Sequence, residues 1–305
     1  MDKIKVLVLF GGQSSEHEIS ELSVTNILSN MDERLEPYMV GITKEGQWFL
    51  YEGEISEIKE CGWEKSDKLT PAILSPDAAT GGLLVFGKDG RVRRIEIDVV
   101  YPALHGKFGE DGTVQGLLEL AGIPYVGPHV AESAVSMDKT LTKLVADKAG
   151  VPQAAWELVL ASHLNERMAS IVETLEQRFV YPMFVKPAGT GSSVGVSKAT
   201  DALSLQKALL AAAEYDEKVL VEEFIEGQEV ECAVLGNEEP KTCVVFSHAI
   251  EKVAGQASVS AADLDVTNIG NGFEDRFLLE GNAKSLFGKE KLFFLTFLRS
   301  KAIVI

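Results

Sequence analysis

Two segments rich in small residues have the composition of loops that bind anions. The first is GGQSSEHEIS at residues 11–20, which separates an apolar run from an amphipathic pattern. The second is VKPAGTGSSVGVSK at residues 185–198, in which Lys186 precedes six small residues. Free backbone N–H groups at a helix start or in a glycine-rich loop can bind phosphate or carboxylate oxygens. Both segments therefore predict an anionic ligand. The alternative is that their glycines only shape turns, while Glu16 caps a helix.

A histidine and a lysine are further candidates for ligand binding. The segment HGKFGEDG at residues 105–112 places His105 directly after a predicted strand, at the sheet edge where α/β folds bind ligands. Lys139, in the segment SMDK, lies near a predicted helix start, where a lysine opposes the helix dipole. That mild cost indicates another use for its ammonium group. The competing interpretation is a glycine-rich turn and an ordinary solvated lysine.

The segment VLVEEFIEGQEVECAVLG at residues 219–236 combines two predicted strands with a cluster of carboxylates. These are Glu222, Glu223, Glu226 and Glu229. A strand edge can hydrogen-bond an adenine ring, and a carboxylate can accept hydrogen bonds from ribose hydroxyls. The segment is therefore a candidate nucleotide site, and the alternative is the acidic face of an exposed hairpin.

The elements that would position these residues begin with an α/β unit. Residues 4–10 are a near-continuous apolar run, typical of a parallel strand covered on both faces. Ser15 and Glu18 have the spacing of a capping box at a helix start. Further expected elements are strands at 38–42, 95–101 and 123–126, a hairpin near 81–90 and a helix at 113–121. We expect this N-terminal, parallel-sheet α/β domain to occupy residues 1–128.

The second unit has a mixed α+β pattern. A predicted helix at 138–149 ends at Gly150, since glycine commonly follows a helix C-terminus. Expected elements after it are strands at 182–186 and 194–197, a helix at 202–214, and strands at 219–223 and 229–235. We expect a central unit over residues 129–215 and a third unit over residues 216–305.

Composition and charge exclude several classes of protein. The chain has 305 residues, 46% of them hydrophobic, and 29 basic against 46 acidic residues give a net charge of −17. Such an acidic protein repels phosphate backbones, which excludes a general nucleic-acid binder. No apolar run approaches the roughly 18 residues of a membrane span. The three cysteines lack metal-type spacing, which predicts a reduced, cytoplasmic protein.

Taken in order, five segments resemble those of the ATP-grasp ligases. The match is closest to the D-alanine–D-alanine ligase family, with its D-alanine–D-lactate and D-serine relatives. The matching segments are LFGGQSSEHEIS, ALHGKFGEDGTVQGLLELAGIPYVG, SMDK, FVKPAGTGSSVGVSK and LVEEFIEGQEVECAVLG, within residues 3–245. The resemblance implies an ATP-grasp fold and ATP-dependent ligation of two D-alanines through an acyl phosphate, for peptidoglycan precursor synthesis. It also implies ATP and Mg²⁺ or Mn²⁺ as cofactors, no nucleic-acid or membrane partner, and is compatible with a homodimer.

The resemblance assigns roles residue by residue. It implies that Glu16 holds the ammonium of the first D-alanine, that His105 lies near that substrate, and that Ser192 hydrogen-bonds Glu16. The ATP-binding residues that it implies are Lys139, Lys186, Ser193, Glu222, Glu223, Phe224, Ile225 and Glu229. Among these, the lysines would bind phosphates, residues 222–225 would form the adenine hinge, and Glu229 would accept from ribose.

After about residue 245 the family pattern is no longer recognisable. The family's tyrosine-bearing loop is missing, since no tyrosine follows Tyr215, and residues 284–305 turn basic and irregular. Short fragments resembling R-x-D and E-x-N make Asp265, Glu280 and Asn282 weak candidates for metal ligands. We therefore expect an altered end and an incomplete C-terminal grasp half. Three alternative functions are a D-alanine–D-lactate or D-alanine–D-serine ligase, a nucleotide- or D-alanine-binding relative without turnover, and a ligase for another carboxylate.

Overall fold

The N-terminal unit is built around a seven-stranded sheet flanked by helices. The computed structural model describes residues 3–191 and 193–226, and beyond them the backbone of four two-residue strands. The elements of this unit are β1 (Ile4–Gly11), α1 (His17–Ser29), β2 (Leu35–Ile42), β3 (Trp48–Tyr51), α2 (Ile55–Lys59), β4 (Leu69–Leu74), β5 (Gly82–Phe86), β6 (Val92–Glu96), β7 (Val99–Pro102) and α3 (Thr113–Ala121).

The first strand is the centre of this unit, as its apolar sequence predicts. The strand order is β6-β5-β4-β3-β2-β1-β7, and β1 pairs in parallel with both β2 and β7. Leu7 and Leu9 pack into the core on one face of the sheet, and Val8 and Phe10 into the core on the other. The predicted parallel α/β layer is therefore confirmed, and four antiparallel strands, β3 to β6, extend it on the side of β2.

Two strand predictions in this unit are wrong. Residues 95–101 are not one strand, because Ile95 belongs to β6 and the chain changes partner at Asp98. The backbone N–H of Asp98 donates to the carbonyl of Lys5, and its carboxylate accepts from the Lys5 N–H, which starts the pairing of β7 with β1. Residues 123–126 form a single bridge between Tyr125 and Val100 instead of a strand.

The central unit is a four-stranded antiparallel sheet with two helices on one face. The order is β10-β9-β11-β8, and Met183 and Val185 share a core with Leu175, Leu205 and Leu209 from the helices. The elements are α4 (Val130–Met137), α5 (Lys139–Ala149), β8 (Trp156–Leu160), α6 (Ala161–Arg178), β9 (Met183–Pro187), β10 (Ser197–Ala199), α7 (Ala202–Ala213) and β11 (Lys218–Glu223).

The last strand of this sheet lies beyond the predicted end of the central unit. β11 begins at Lys218, after the boundary expected at residue 215, and it pairs with both β8 and β9. The strand predicted at 194–197 starts three residues later, as β10. Beyond residue 226, the described backbone consists of β12 (Val230–Glu231) paired with β15 (Phe246–Ser247), and β13 (Val234–Leu235) paired with β14 (Lys241–Thr242).

Candidate active site

The turn after β1 requires its two glycines. Gly11 and Gly12 have φ angles of 82° and 98°, in the left-handed region that glycine adopts without strain. A Cβ atom on Gly11 would lie 2.4 Å from the carbonyl oxygen of Ile42. The hydroxyl of Ser20 in α1 accepts from the Gly11 N–H at 2.8 Å and donates to the carbonyl of Ala103, just after β7. The carboxyl ends of β1 and β7 are thereby fixed against the start of α1.

The capping box predicted from Ser15 and Glu18 is not formed. α1 begins at His17, and Glu16 before it makes no side-chain capping hydrogen bond. Ser14 instead accepts from the Glu16 N–H at 3.0 Å and donates to the carbonyl of His105 at 2.7 Å. A contact with the 105–112 loop thus replaces the local motif, and it brings the predicted segments 11–20 and 105–112 together.

Glu16 lies where three loops meet. The residue is only 7% exposed. A Cβ atom on Gly106 would lie 2.7 Å from its Oε2 atom, and a Cβ on Gly191 would lie at the same distance. Loops of the N-terminal unit and the glycine-rich loop of the central unit therefore pack against one carboxylate, and glycine is the residue that leaves room for it.

His105 is held from both sides of its ring. Its Nε2 atom lies 2.8 Å from the hydroxyl of Ser23 in α1, and its Nδ1 atom lies 3.5 Å from the carboxylate of Glu110. The side chain is 27% exposed, so one edge remains accessible. The structure thus places His105 and Glu16 on either side of the Ser14 bridge, and their roles toward a substrate stay predictions. Ser14 and Ser23 were not among the predicted site residues.

Lys139 binds the loop that follows β9. It is the first residue of α5, where Asp138 caps the helix by accepting from the N–H groups of Thr140 and Leu141. The Lys139 ammonium donates to the carbonyl oxygens of Thr190, Ala188 and Pro187 at 2.5, 3.2 and 3.3 Å. This lysine therefore fixes the start of the glycine-rich loop. These hydrogen bonds explain why a lysine stands at a helix start, where the helix dipole is unfavourable to its charge. Its predicted phosphate contact stays a prediction.

The predicted phosphate lysine, Lys186, is part of a buried charge cluster. Its ammonium pairs with Oε2 of Glu222, and the ammonium of Lys143 lies 2.7 Å from Oε1 of the same carboxylate. Burial alone would raise the pKa of the Glu222 carboxyl, but the two ammonium groups outweigh it and hold that pKa below its usual range. The cluster therefore contains an ionised carboxylate and a net positive charge, inside a strongly acidic protein.

Lys143 is a site residue that the sequence analysis missed. It lies four residues after Lys139 in α5, so both lysines are on one face of the helix. That spacing was available in the sequence. The partner Glu222 is 79 positions away, however, and only the packing of α5 against the central sheet brings the two charges together.

Aromatic rings cover the sheet surface beside this cluster. Met183 and Val185 of β9 face the helices, so the alternate residues Phe184 and Lys186 face the opposite side. The Phe184 ring lies 5.8 Å from the ring of Phe224, and the ammonium of Lys198 lies 4.3 Å above Phe224. This face can therefore bind a flat ring and neighbouring anionic groups.

The predicted adenine hinge follows β11 directly. Phe224 and Ile225 are 37% and 40% exposed. Glu223 has a structural contact, because its carboxylate accepts from the N–H of Ala155 at 2.7 Å while its own N–H donates to the Ala155 carbonyl at 3.0 Å. Glu222 is buried in the charge cluster. The hinge side chains therefore do not form one surface, and the accessible part is residues 224–225.

The glycine-rich loop is described on both sides of residue 192. Ser193 is exposed and has a φ of 60°, and Val194 donates to the Gly191 carbonyl at 3.0 Å. The remaining predicted site residues, Ser192, Glu229, Asp265, Glu280 and Asn282, lie outside the described residues. Within the described part of the chain, no group of three or more His, Cys, Asp or Glu side chains could hold a metal ion.

Two family models of known proteins match this chain, one over the N-terminal unit and one over the part that follows it. The family model described as "D-ala D-ala ligase N-terminus" matches residues 5–128, and the one described as "D-ala D-ala ligase C-terminus" matches residues 145–256. A D-alanine–D-alanine ligase from Acetivibrio thermocellus is 48% identical over 257 residues, which cover 80% of this chain and 68% of that protein. The chain belongs to the D-alanine–D-alanine ligase family.

Other members of the family agree in sequence and in structure. A D-alanine–D-alanine ligase from Caldicellulosiruptor bescii is 49% identical over 240 residues, covering 78% of this chain and 65% of the relative. The crystal structure of a D-Ala:D-Ser ligase from Enterococcus faecalis matches with a TM-score of 0.73 and 36% identity, over 81% of this chain and 70% of that one. A D-alanine–D-alanine ligase structure from Coxiella burnetii matches with a TM-score of 0.72 and 34% identity, over 81% and 71%.

Membership settles the fold class and the class of enzyme. The mixed N-terminal sheet and the antiparallel central sheet are those of an ATP-grasp ligase, and the chain is an ATP-dependent ligase of this family. The alignments cover about two thirds of the relatives' own length. Among the helices that the structure describes, none is long and apolar enough to cross a membrane.

Proposed function

We propose that this chain joins two D-alanine molecules at the expense of ATP. In the first step, a carboxylate oxygen of one D-alanine attacks the γ-phosphorus of ATP, so that ADP leaves and an acyl phosphate forms. In the second step, the amine of the other D-alanine attacks the acyl carbon, inorganic phosphate leaves, and the amine loses a proton. The product is D-alanyl-D-alanine, a precursor for peptidoglycan and the bacterial cell wall.

The buried Glu16 carboxylate is the observation that carries this proposal. Glu16 is only 7% exposed at the junction of three loops, and its carboxylate would accept hydrogen bonds from the ammonium of an amino acid there. His105 lies on the other side of the Ser14 bridge, within reach of the same ligand. Ser192 follows Gly191, which packs against Glu16, and stays the candidate for the hydrogen bond to Glu16.

The lysines and aromatic rings of the central unit fit ATP. Lys186 and N–H groups of the glycine-rich loop other than those of Gly189 and Val194, which donate within the protein, would neutralise phosphate charge. Phe224 and Ile225 would contact the adenine ring. The Lys139 ammonium donates hydrogen bonds to three carbonyl oxygens at the start of this loop. Ser193 and Glu229 stay candidates for phosphate and ribose contacts.

A divalent cation would neutralise the phosphates further when bound. The acidic partner of Lys186, Glu222, is already paired with two ammonium groups and does not fit as a metal ligand. Ligands for Mg²⁺ or Mn²⁺ would therefore come from beyond residue 226, where Asp265, Glu280 and Asn282 stay the candidates.

The test is product formation by the full chain. The protein is incubated with D-alanine and ATP with and without Mg²⁺, inorganic phosphate is followed, and D-alanyl-D-alanine is identified by mass spectrometry. Phosphate and dipeptide formed in equal amounts support the proposal. Phosphate without dipeptide, or neither product from a folded protein that binds both ligands, contradicts it.

A second candidate is binding of D-alanine and ATP without turnover. The composition of residues 257–305 favours this candidate, because these residues lie outside the match to the C-terminal family model and are basic over 284–305. Calorimetry that detects both ligands, together with the absence of dipeptide, would identify this case. D-serine and D-lactate offered as the second substrate test the acceptor, because one similar structure is a D-Ala:D-Ser ligase.

We also propose a cytoplasmic location, a homodimer and a division into three units, the first of which is residues 1–128. ATP and unpatterned cysteines favour the cytoplasm. The position of β11 in the central sheet favours moving the second boundary past Glu223. Light scattering after size-exclusion chromatography tests the dimer, and limited proteolysis tests the boundaries.

A further inference from the structure

The charge cluster of the central unit holds its two lysines in different ways. The Lys143 ammonium has three oxygen partners, Oε1 of Glu222 at 2.7 Å, the carbonyl of Ala154 at 3.3 Å and Oε1 of Gln153 at 3.5 Å. Three acceptors match the three N–H groups of an ammonium. Lys186 has Glu222 as its hydrogen-bond partner among the described residues. Lys143 is therefore anchored, whereas Lys186 has further N–H groups to offer to a ligand.

Gln153, one of the three partners of the Lys143 ammonium, is also hydrogen-bonded to α5, the helix that carries Lys143. The amide nitrogen of Gln153 donates to the backbone carbonyl of Lys143 at 2.8 Å and to the carboxylate of Asp147 at 2.5 Å. The segment before β8 is thus attached to α5 by hydrogen bonds in both directions. The Lys143 side chain is 12% exposed, so its position is set by protein groups rather than by solvent.

We propose that Lys143 is a positioning residue for ATP, which keeps Glu222 neutralised while Lys186 binds phosphate. The inference rests on the proposed function, because it takes the phosphates of ATP as the ligand of Lys186. The Glu222 side chain is 9% exposed, and an ionised carboxylate buried to that degree requires a cation. Without Lys143, Lys186 has to remain with Glu222, and its ammonium is no longer available to ATP.

The test is calorimetric titration of MgATP into the full chain and its variants. Lys143→Met removes the charge and keeps most of the volume, and it should weaken MgATP binding about ten- to hundredfold, the range for losing a charge-assisted contact. Lys148→Met is the matched control, because Lys148 lies exposed at the end of the same helix. Its affinity for MgATP should stay that of the parent.

The decisive comparison repeats Lys143→Met in a Glu222→Gln background. With no carboxylate to neutralise, loss of Lys143 should change MgATP affinity less than threefold. A tenfold or larger loss in the Glu222→Gln background, or less than a threefold loss in the parent, overturns the proposal. The comparison within the Glu222→Gln background also decides the matter if Lys143→Met alone does not fold.

A further variant separates this inference from the proposed function. Lys186→Ala should lose MgATP affinity whatever the role of Lys143. Unchanged binding by Lys186→Ala means that the proposed ATP site is wrong. Weakened binding by Lys186→Ala, together with parent-like binding by Lys143→Met, means that the proposed ATP site is correct and that Lys143 does not position it.

Discussion

Replacing Glu16 by glutamine separates a substrate ligand from a residue that only begins a helix. The substitution keeps the shape of the side chain and removes its charge. As a carboxylate at the start of α1, Glu16 would contribute about 0.3–1 kcal/mol to stability through the helix dipole. As the ligand of an ammonium in a site where it is 7% exposed, it would contribute about 1.5–3 kcal/mol to binding. We therefore expect nearly unchanged unfolding and D-alanine binding weakened about ten- to hundredfold.

Glu18→Gln is the matched control for this experiment. Glu18 lies in the first turn of the same helix, but it is exposed and pairs with Lys44 at the surface, where ion pairs contribute about 0–1 kcal/mol. Both variants change the dipole interaction alike, and only Glu16→Gln should affect the ligand. Calorimetric titration of D-alanine and of ATP into each folded variant gives the result. D-alanine bound by Glu16→Gln as tightly as by the parent would refute the substrate role of Glu16.

Three further predictions follow from contacts in the two units. Lys186→Ala should weaken ATP binding about ten- to hundredfold in a titration of the folded variant. Gly191→Ala should slow dipeptide formation, because the added Cβ atom would lie 2.7 Å from the Glu16 carboxylate. The control is Gly116→Ala in α3, where no atom lies within 4 Å of the added Cβ. It should raise the free energy of unfolding by about 0.5–1 kcal/mol and leave the rate of dipeptide formation unchanged. Asp138→Ala should cost about 1 kcal/mol of cap stability at pH 7 in a denaturant titration. Burial alone would raise the pKa of the Asp138 carboxyl, but hydrogen bonds from Lys218 and Thr140 lower it overall, so the stabilisation by its charge should begin to decline near pH 4 and be lost as the pH falls through the lowered pKa. An Asp138→Ala effect that grows as the pH falls below about 4 would contradict that assignment.

Elements defined by their own residues could be predicted from the sequence. The apolar run of β1, the helix at 113–121 and the end of α5 at Gly150 all have local causes, and the structure confirms them. The capping box at Ser15 failed because Ser14 makes a hydrogen bond with His105, 91 positions away. Local spacing carries no information about such a partner.

For the candidate site, too, local motifs could be predicted from the sequence, and contacts between distant segments could not. Motif resemblance pointed to segments 11–20, 105–112 and 185–198, and the structure brings these segments together, while the roles of Glu16, His105 and Lys186 stay predictions. Lys143 was missed because its importance depends on Glu222 in a distant strand. Residues 95–101 show the limit for strands, since β-forming residues continue on both sides of Asp98 and only the change of pairing partner there divides the segment.

The central position of β1 also constrains how the chain folds during synthesis. β1 is made first, pairs with β2 soon after, and has to wait for β7 before its second edge is covered. At about 5–20 residues per second, the ribosome needs roughly 3–11 s to make the chain from the end of β2 to the start of β7. During that interval the nascent chain exposes an apolar strand edge that includes Leu7 and Leu9, the kind of edge that other chains can pair with. Chaperone capture of ribosome-bound chains should therefore be strongest before Val99 emerges and should fall once β7 is available.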